Sequence, residues 1–210
     1  SSRLQAVAMT RHITGCYPEY TCGEHYLIEN SADCERIVSA MHTCLLKVPW
    51  SGSGKGLNWC LHGLTKPVAN WCERILKEQG CLTAEPIYNK VKDFALEFYS
   101  DGRGEVLFAG YSMFSTNEHG AYTGNLIASD GQIEEMVAHY LPLKELVLMR
   151  GSLCTELAAI YGNTYTGYLG VDMMLCRQEK GQGYVVHPCV EINMRMNMGV
   201  VARLFYDNFV

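Results

Sequence analysis

The segment from residue 185 to 197 restricts the fold more than any other part of the chain. Polar side chains recur there at every second position, as Glu191, Asn193 and Arg195, and the positions between them are apolar. This period of two is typical of a β-strand that has one face in the core. A two-residue turn at 181–182 would pair it with a preceding strand at 167–177.

That turn sets Asp172 directly opposite Glu191, so two carboxylates and the Asn193 amide oxygen converge on one point. A slip of one residue would remove the pairing, and Pro188 favours a bulge in the second strand. Like charges facing each other in a sheet are unfavourable unless a cation lies between them. Oxygen ligands of this kind suit Mg²⁺ or Mn²⁺. The alternative is a solvated hairpin face whose polar residues are unrelated.

Helices are expected at 31–41, where Ser31 could be the cap, at 68–80, and after Pro142. Strands are expected at 44–48, 82–88, 93–98, 104–113, 121–128, 167–177 and 183–197. In the strand 93–98, Asp93 and Glu97 share the face opposite the apolar residues. The order of elements is mixed and does not alternate strictly, so the fold class is α+β.

Composition excludes several classes of protein. The 210 residues are 48% hydrophobic and carry a net charge of −5, which is typical of a globular chain and gives no case for binding nucleic acid or an anionic membrane. No apolar run approaches the roughly 20 residues that cross a bilayer, and no leader segment is visible. The ten cysteines include no Cys-x-x-Cys pair, so a Cys/His metal or redox protein is the weakest alternative. Reduced thiols and a cytoplasmic location are therefore expected.

A glycine-rich loop follows the apolar strand that ends near Lys47. Its backbone N–H groups could bind phosphate oxygens, although the loop matches neither a Walker A motif nor a dinucleotide fingerprint. Burying an unpaired ammonium is costly, and a phosphate partner for Lys47 would remove that cost. The loop consists of Ser51, Gly52, Ser53, Gly54, Lys55 and Gly56.

Taken in chain order, these segments resemble the ATP-grasp superfamily. The most specific part of the resemblance is Asp172 followed by the Glu-x-Asn-x-Arg run at 191–195; Lys47, the loop and the segment 84–88 precede it at the expected places. The resemblance implies two α+β subdomains, 1–83 and 84–210, which grip ATP between antiparallel sheets. Members of the superfamily usually carry a further domain before this region, and the given sequence is expected to begin inside the ATP-grasp module.

The resemblance assigns roles to individual residues. Lys47 and the loop 51–56 would bind the phosphates, and Arg195 and Lys47 would take part in catalysis. The adenine hinge would be Glu85, Ile87 and Tyr88, the ribose contact Asp93, and the magnesium ligands Asp172, Glu191 and Asn193. Arg3 or Arg11 could supply another ATP contact, and His119 could contact substrate or lie in a plain polar turn.

The function implied is an ATP- and Mg²⁺-dependent ligase. A small-molecule carboxylate would be activated as an acylphosphate, and an amine, or less often a thiol, would then displace phosphate. The alternative from another class is a nucleotide-binding module without chemistry.

Overall fold

The computed structural model describes residues 3–50, 56–118, 120–178 and 181–210. The chain forms two compact units, one of Gln5–Cys22 with Asn89–Val210 and one of Gly23–Tyr88 with Arg3 and Leu4. The units join residues 5–22 to the later part of the chain, unlike the subdomains 1–83 and 84–210, which stay a prediction.

In these described ranges there are six helices and nine strands. The helices are α1 (Arg3–Cys16), α2 (Ser31–Met41), α3 (Lys66–Gln79), α4 (Asp130–Ala138), α5 (Leu143–Tyr161) and α6 (Met198–Phe209). The strands are β1 (Tyr26–Ile28), β2 (Cys44–Lys47), β3 (Leu57–Cys60), β4 (Leu82–Glu85), β5 (Lys90–Asp101), β6 (Val106–Thr116), β7 (Tyr122–Asn125), β8 (Thr166–Arg177) and β9 (Tyr184–Asn193). Within the same ranges, no helix is long and apolar enough to cross a membrane.

The unit of residues 23–88 is a four-stranded antiparallel sheet, in the order β1-β4-β2-β3, with α2 and α3 packed on one face. Helix α2 is capped by Asn30, whose side chain accepts from the Asp33 N–H at 2.9 Å, and not by Ser31 as predicted. An asparagine one residue earlier is an equally good acceptor. Helix α3 ends as predicted at Gly80, which has φ +81°, a conformation that glycine adopts without strain.

The other unit contains a five-stranded antiparallel sheet in the order β7-β6-β5-β8-β9. One face is apolar and forms a single core with helices α1, α4 and α5. The strand residues of that core include Phe94, Leu96, Phe98, Val171, Met173, Leu175 and Ile192. Helix α6 contacts strands β5 and β8 of the sheet. The α+β fold class is thereby confirmed.

Strand β9 is shorter than predicted, since it ends at Asn193 and not near residue 197. Asn197 instead begins α6, where its side chain accepts from the Val200 N–H at 3.0 Å. A capped helix satisfies backbone donors that an unpaired strand extension would leave without partners, which explains the difference.

The β8–β9 hairpin has the predicted pairing but not the predicted turn. A two-residue turn would pair Arg177 with Val186, whereas the structure pairs Arg177 with Tyr184. Farther along, a bulge that contains Pro188 places three residues of β9 opposite one of β8. The two extra residues in the bulge shift the strand register back to the predicted one, so Asp172 lies opposite Glu191.

Candidate functional site

The face of the five-stranded sheet opposite the core carries a cluster of acidic side chains. Asp172 on β8 lies directly opposite Glu191 on β9, and the next pair on the same face is Gly170 with Asn193. Directly opposed residues share a face, and residues two apart on one strand do as well. The structure therefore brings together the three side chains predicted as magnesium ligands.

The Asp172 carboxylate is the centre of this cluster. It accepts from Asn193 Nδ2 at 2.9 Å, and Arg195 Nη2 donates to Asn193 Oδ1 at 3.4 Å. Burial and the facing Glu191 carboxylate raise the pKa of Asp172 to about 7, and the hydrogen bond from Asn193 acts in the opposite direction. Part of the cost of ionising Asp172 is thus repulsion from another carboxylate, which a cation between them would remove.

The donor set fits a hard divalent cation. Two carboxylates and one amide oxygen are oxygen ligands, as Mg²⁺ and Mn²⁺ prefer, and no sulfur or imidazole group is among the three. In the present arrangement the Asn193 amide presents Nδ2 to Asp172. Rotating the amide by a half-turn would present its oxygen there, since the two ends are nearly the same size.

Glu97 on β5 belongs to the same face, although the sequence did not point to it as a site residue. It pairs with Gly170 on one side and Gly110 on the other, and only 1% of it is exposed. Asn197 Nδ2 donates to Glu97 Oε2 at 2.8 Å. Burial, with a smaller contribution from the Asp172 carboxylate, raises the pKa of Glu97 to about 8.

Glycines make room for the Glu97 carboxyl. A Cβ at Gly170 would overlap Glu97 Oε2 and Asn197 Nδ2, and a Cβ at Gly199 would overlap Glu97 Oε1 and Ser112 Oγ. Because Gly199 lies in the first turn of α6, the helix approaches the sheet at this carboxyl. Glu97 thus connects the acidic face to the helix that follows Arg195.

Asp93, the predicted ribose contact, is also on this face of β5. Its Oδ2 lies 2.6 Å from Lys90 Nζ and accepts from Thr116 Oγ1 at 2.8 Å. The carboxylate is therefore held by two neighbours here, and its role toward a ribose stays a prediction.

Lys47 is buried at the end of β2, in the unit of residues 23–88, with 6% of it exposed. Its Nζ lies 2.5 Å from Oε1 of Glu85, at the end of β4, and His25 Nδ1 lies 3.3 Å from Glu85 Oε2. Lys47 thus has an anionic partner within the protein, so its burial does not by itself require phosphate, and its role in binding phosphate stays a prediction. Sequence could not show this, since the two residues meet only when β2 and β4 pair.

The remaining predicted nucleotide contacts are placed only in part. Ile87 and Tyr88 follow β4 and are half-buried, and the Tyr88 hydroxyl accepts from the Glu24 N–H at 2.7 Å. Arg3 is buried and donates to the Val48 carbonyl oxygen at 2.8 Å, whereas Arg11 is exposed.

Of the glycine-rich loop, Gly56 is described: its carbonyl accepts from the Val48 N–H at 3.0 Å. The other predicted loop residues lie outside the described residues, and so does His119. They are Ser51, Gly52, Ser53, Gly54 and Lys55.

Similarity to known proteins is found among solved structures and not at the level of sequence. Neither a scan against protein-family models nor a search of curated proteins finds a match. Among solved structures, N5-carboxyaminoimidazole synthetase from Staphylococcus aureus, complexed with ADP, is similar with a TM-score of 0.58 and 12% identity over 93% of this chain and 45% of that one. D-alanyl-alanine synthetase A from Vibrio cholerae is similar with a TM-score of 0.58 and 10% identity over 95% of this chain and 58% of that one.

The chain has the ATP-grasp fold. The biotin carboxylase domain of 2-oxoglutarate carboxylase from Hydrogenobacter thermophilus, complexed with MgADP, has it too, with a TM-score of 0.57 and 17% identity over 91% of this chain. This chain spans 39% of that domain and about half of the two synthetases. The ATP-grasp resemblance read from the sequence is therefore confirmed at the level of the fold, over part of the length of these enzymes.

Proposed function

We propose that this chain is the ATP-binding part of an ATP- and Mg²⁺-dependent ligase. The observation that carries the proposal is the Asp172–Glu191 pair, two carboxylates directly opposed on the polar face of an ATP-grasp sheet. Such a pair is unfavourable alone and favourable around a divalent cation. The cytoplasm, where ATP and Mg²⁺ are available, is the location that we propose.

Asp172, Glu191 and Asn193 are the residues proposed to hold Mg²⁺, or Mn²⁺ in its place. When bound, the ion would neutralise negative charge on the nucleotide phosphates. The solved structures with this fold support the assignment, because one of them is complexed with ADP and another with MgADP.

The nucleotide itself is proposed to contact the residues assigned from the sequence. They are Lys47 and the loop Ser51–Gly56 for the phosphates, Glu85, Ile87 and Tyr88 for adenine, and Asp93 for ribose. For Lys47, phosphate binding would add a second anion beside Glu85, so the ammonium would serve both partners.

The proposed reaction has two steps. A carboxylate oxygen of a small-molecule substrate attacks the γ-phosphorus of ATP, and ADP leaves. An amine nitrogen, or a thiol sulfur, then attacks the acyl carbon of the acylphosphate, and phosphate leaves. Arg195 is proposed to stabilise the anionic intermediate, since its guanidinium lies beside the Asn193 ligand. The site's contribution is positioning and charge neutralisation.

Binding is tested by thermal unfolding with millimolar ATP, with and without Mg²⁺. We expect Mg²⁺-ATP to raise the melting temperature by mass action on the folded state. Glu191→Ala should abolish the Mg²⁺-dependent increase while leaving the metal-free protein as stable or slightly more stable, because it removes one of two repelling charges. Glu105→Ala, which removes an exposed carboxylate elsewhere, is the matched control.

Two results would contradict the binding proposal. One is a folded wild-type protein whose melting temperature does not respond to Mg²⁺-ATP. The other is unfolding of the metal-free Glu191→Ala variant, which would make Glu191 a structural ion-pair partner.

Turnover separates a ligase from a nucleotide-binding module without chemistry. The assay measures release of ADP and phosphate from Mg²⁺-ATP with a panel of carboxylates, each with and without amines. Carboxylate-dependent release that Arg195→Ala removes supports the ligase. Binding with no release across the panel would support the non-catalytic module instead.

A further inference from the structure

Four of the ten cysteines lie together in the core of the unit of residues 23–88. They come from four different elements, α2, β2, β3 and α3, and at most 3% of each is exposed; they are Cys34, Cys44, Cys60 and Cys72. All four are reduced thiols in this structure. We propose that Cys44 and Cys60 are a disulfide-forming pair that braces the β2–β3 hairpin.

The strand register brings these two residues face to face. Cys44 is the first residue of β2 and Cys60 the last of β3, and the two are direct partners in the antiparallel ladder. The Val48 N–H donates to Gly56 O at 3.0 Å, in the same register. Hydrogen-bonded pairs alternate along such a ladder, so Cys44–Cys60 is of the same type, with Cα atoms about 5.5 Å apart. That Cα separation is the commonest one for disulfides, about 5.5–6 Å, and the Cβ atoms of such a pair must approach each other by roughly 1 Å for the bond to form.

The two thiols are close enough to affect each other. Burial and the neighbouring Cys60 thiol raise the pKa of Cys44 to about 12, and burial raises that of Cys60. In the closed structure neither thiol therefore ionises readily near neutral pH, so both are protected from reaction.

The position of β3 provides a route to reaction. This strand is only four residues long and lies at the edge of its sheet, where β2 is its one neighbour among the described strands. Short edge strands open at lower free-energy cost than central ones, and opening β3 would expose Cys60 and then Cys44. The other two cysteines, Cys34 and Cys72, come from helices α2 and α3, so they are not partners in a strand ladder.

The oxidant that we propose is a low-molecular-weight disulfide. The thiolate of one cysteine attacks it, forms a mixed disulfide and releases one small thiolate. The second cysteine thiolate then attacks the protein sulfur of the mixed disulfide, the Cys44–Cys60 bond forms, and a second small thiolate leaves. Two protein thiols are oxidised and one small disulfide is reduced.

The bond would close a loop that contains Lys47 and the glycine-rich segment 51–56. If the proposed function is correct, oxidation would tie together the two ends of the segment that holds the nucleotide phosphates. The disulfide itself does not depend on nucleotide binding and can be tested without it.

The test incubates the purified protein with a glutathione disulfide buffer in mild urea, which promotes opening, and then dilutes it and blocks remaining thiols by alkylation. Non-reducing digestion and fragment mass spectrometry should find Cys44 linked to Cys60. The melting temperature should rise by roughly 5–10 °C and return on reduction. Cys60→Ser should abolish the increase, whereas Cys16→Ser, at an exposed position, should retain it.

Recovery of Cys44 and Cys60 as alkylated thiols after this treatment would overturn the proposal, and so would linkage of either to another cysteine. Mapping is done on the wild-type protein, so the result stands even if a variant fails to fold. A negative nucleotide-binding experiment would leave the mapping unaffected, which separates this inference from the proposed function.

Discussion

The buried carboxyl of Glu97 should make the protein less stable as the pH rises, and Glu97→Gln should remove the contribution of this side chain to the pH dependence. Glutamine has nearly the shape of the protonated acid and can still accept from Asn197 Nδ2, which lies 2.8 Å from Glu97 Oε2. The variant therefore mimics the neutral form without opening a cavity. The perturbation isolates the cost of ionising one side chain.

The sign and size of the effect follow from the two pKa values. Burial raises the pKa of Glu97 from 4.5 to about 8 on folding. A raised carboxyl pKa means that the folded state holds its proton more tightly, so stability is fully present below pH 4.5 and is lost as the pH rises through 8. At about 1.4 kcal/mol per pKa unit, the loss between pH 5 and pH 8 is on the order of 3–4 kcal/mol.

The assay is urea unfolding at pH 5, 6, 7 and 8 with a chelator present, for wild type, Glu97→Gln and the exposed control Glu105→Gln. We expect Glu97→Gln to match wild type near pH 5 and to exceed it by several kcal/mol near pH 8, with the control parallel to wild type. If Glu97→Gln lowers stability by the same amount at every pH, the carboxyl is not neutral in the folded state and the reasoning fails.

Two further predictions concern close packing and buried charge. Gly170→Ala should lower the free energy of unfolding by about 1–3 kcal/mol, because the added Cβ would overlap Glu97 and Asn197. The control is Gly124→Ala, since there is open space around Gly124. Equal losses of stability in the two variants would refute this prediction. Lys47→Met should cost about 3–5 kcal/mol by leaving the Glu85 carboxylate buried without its ammonium. Adding Glu85→Gln should recover part of that loss, and a loss below about 1 kcal/mol for Lys47→Met would contradict a compensating ion pair.

The Asp172–Glu191 pairing was predictable from sequence, although for a reason that was only partly right. Alternation along 185–197 assigned the correct face, and a two-residue turn gave the correct partner. In the structure, Arg177 near the turn pairs with Tyr184, two residues away from the predicted partner. The bulge at Pro188 then restores the predicted pairing for the rest of the hairpin. The displaced pairing near the turn and the bulge each shift the strand register by two residues, in opposite directions, so their effects cancel. No local sequence pattern could have revealed this.

Glu97 shows where sequence reasoning stops. Its face of the strand was predicted correctly, but a charged residue at such a position is usually solvated. Its burial depends on Gly170 in the neighbouring strand β8, and on Asn197 and Gly199 at the start of α6, about a hundred residues later in the chain. Lys47 is a second example. The sequence showed that it lies at the end of an apolar strand, but its partner, Glu85, could be known only from the pairing of β2 with β4.

The bulge at Pro188 also determines which changes of length the hairpin can accept. It adds two residues to β9, an even number, so the alternation of side chains continues beyond it and Glu191 still faces Asp172. Removing one residue from the bulge would turn Glu191 and Asn193 into the core and expose Ile192. Removing two would preserve every side chain's face. Over evolutionary time, insertions and deletions in this strand should therefore survive in pairs, and single ones should be lost.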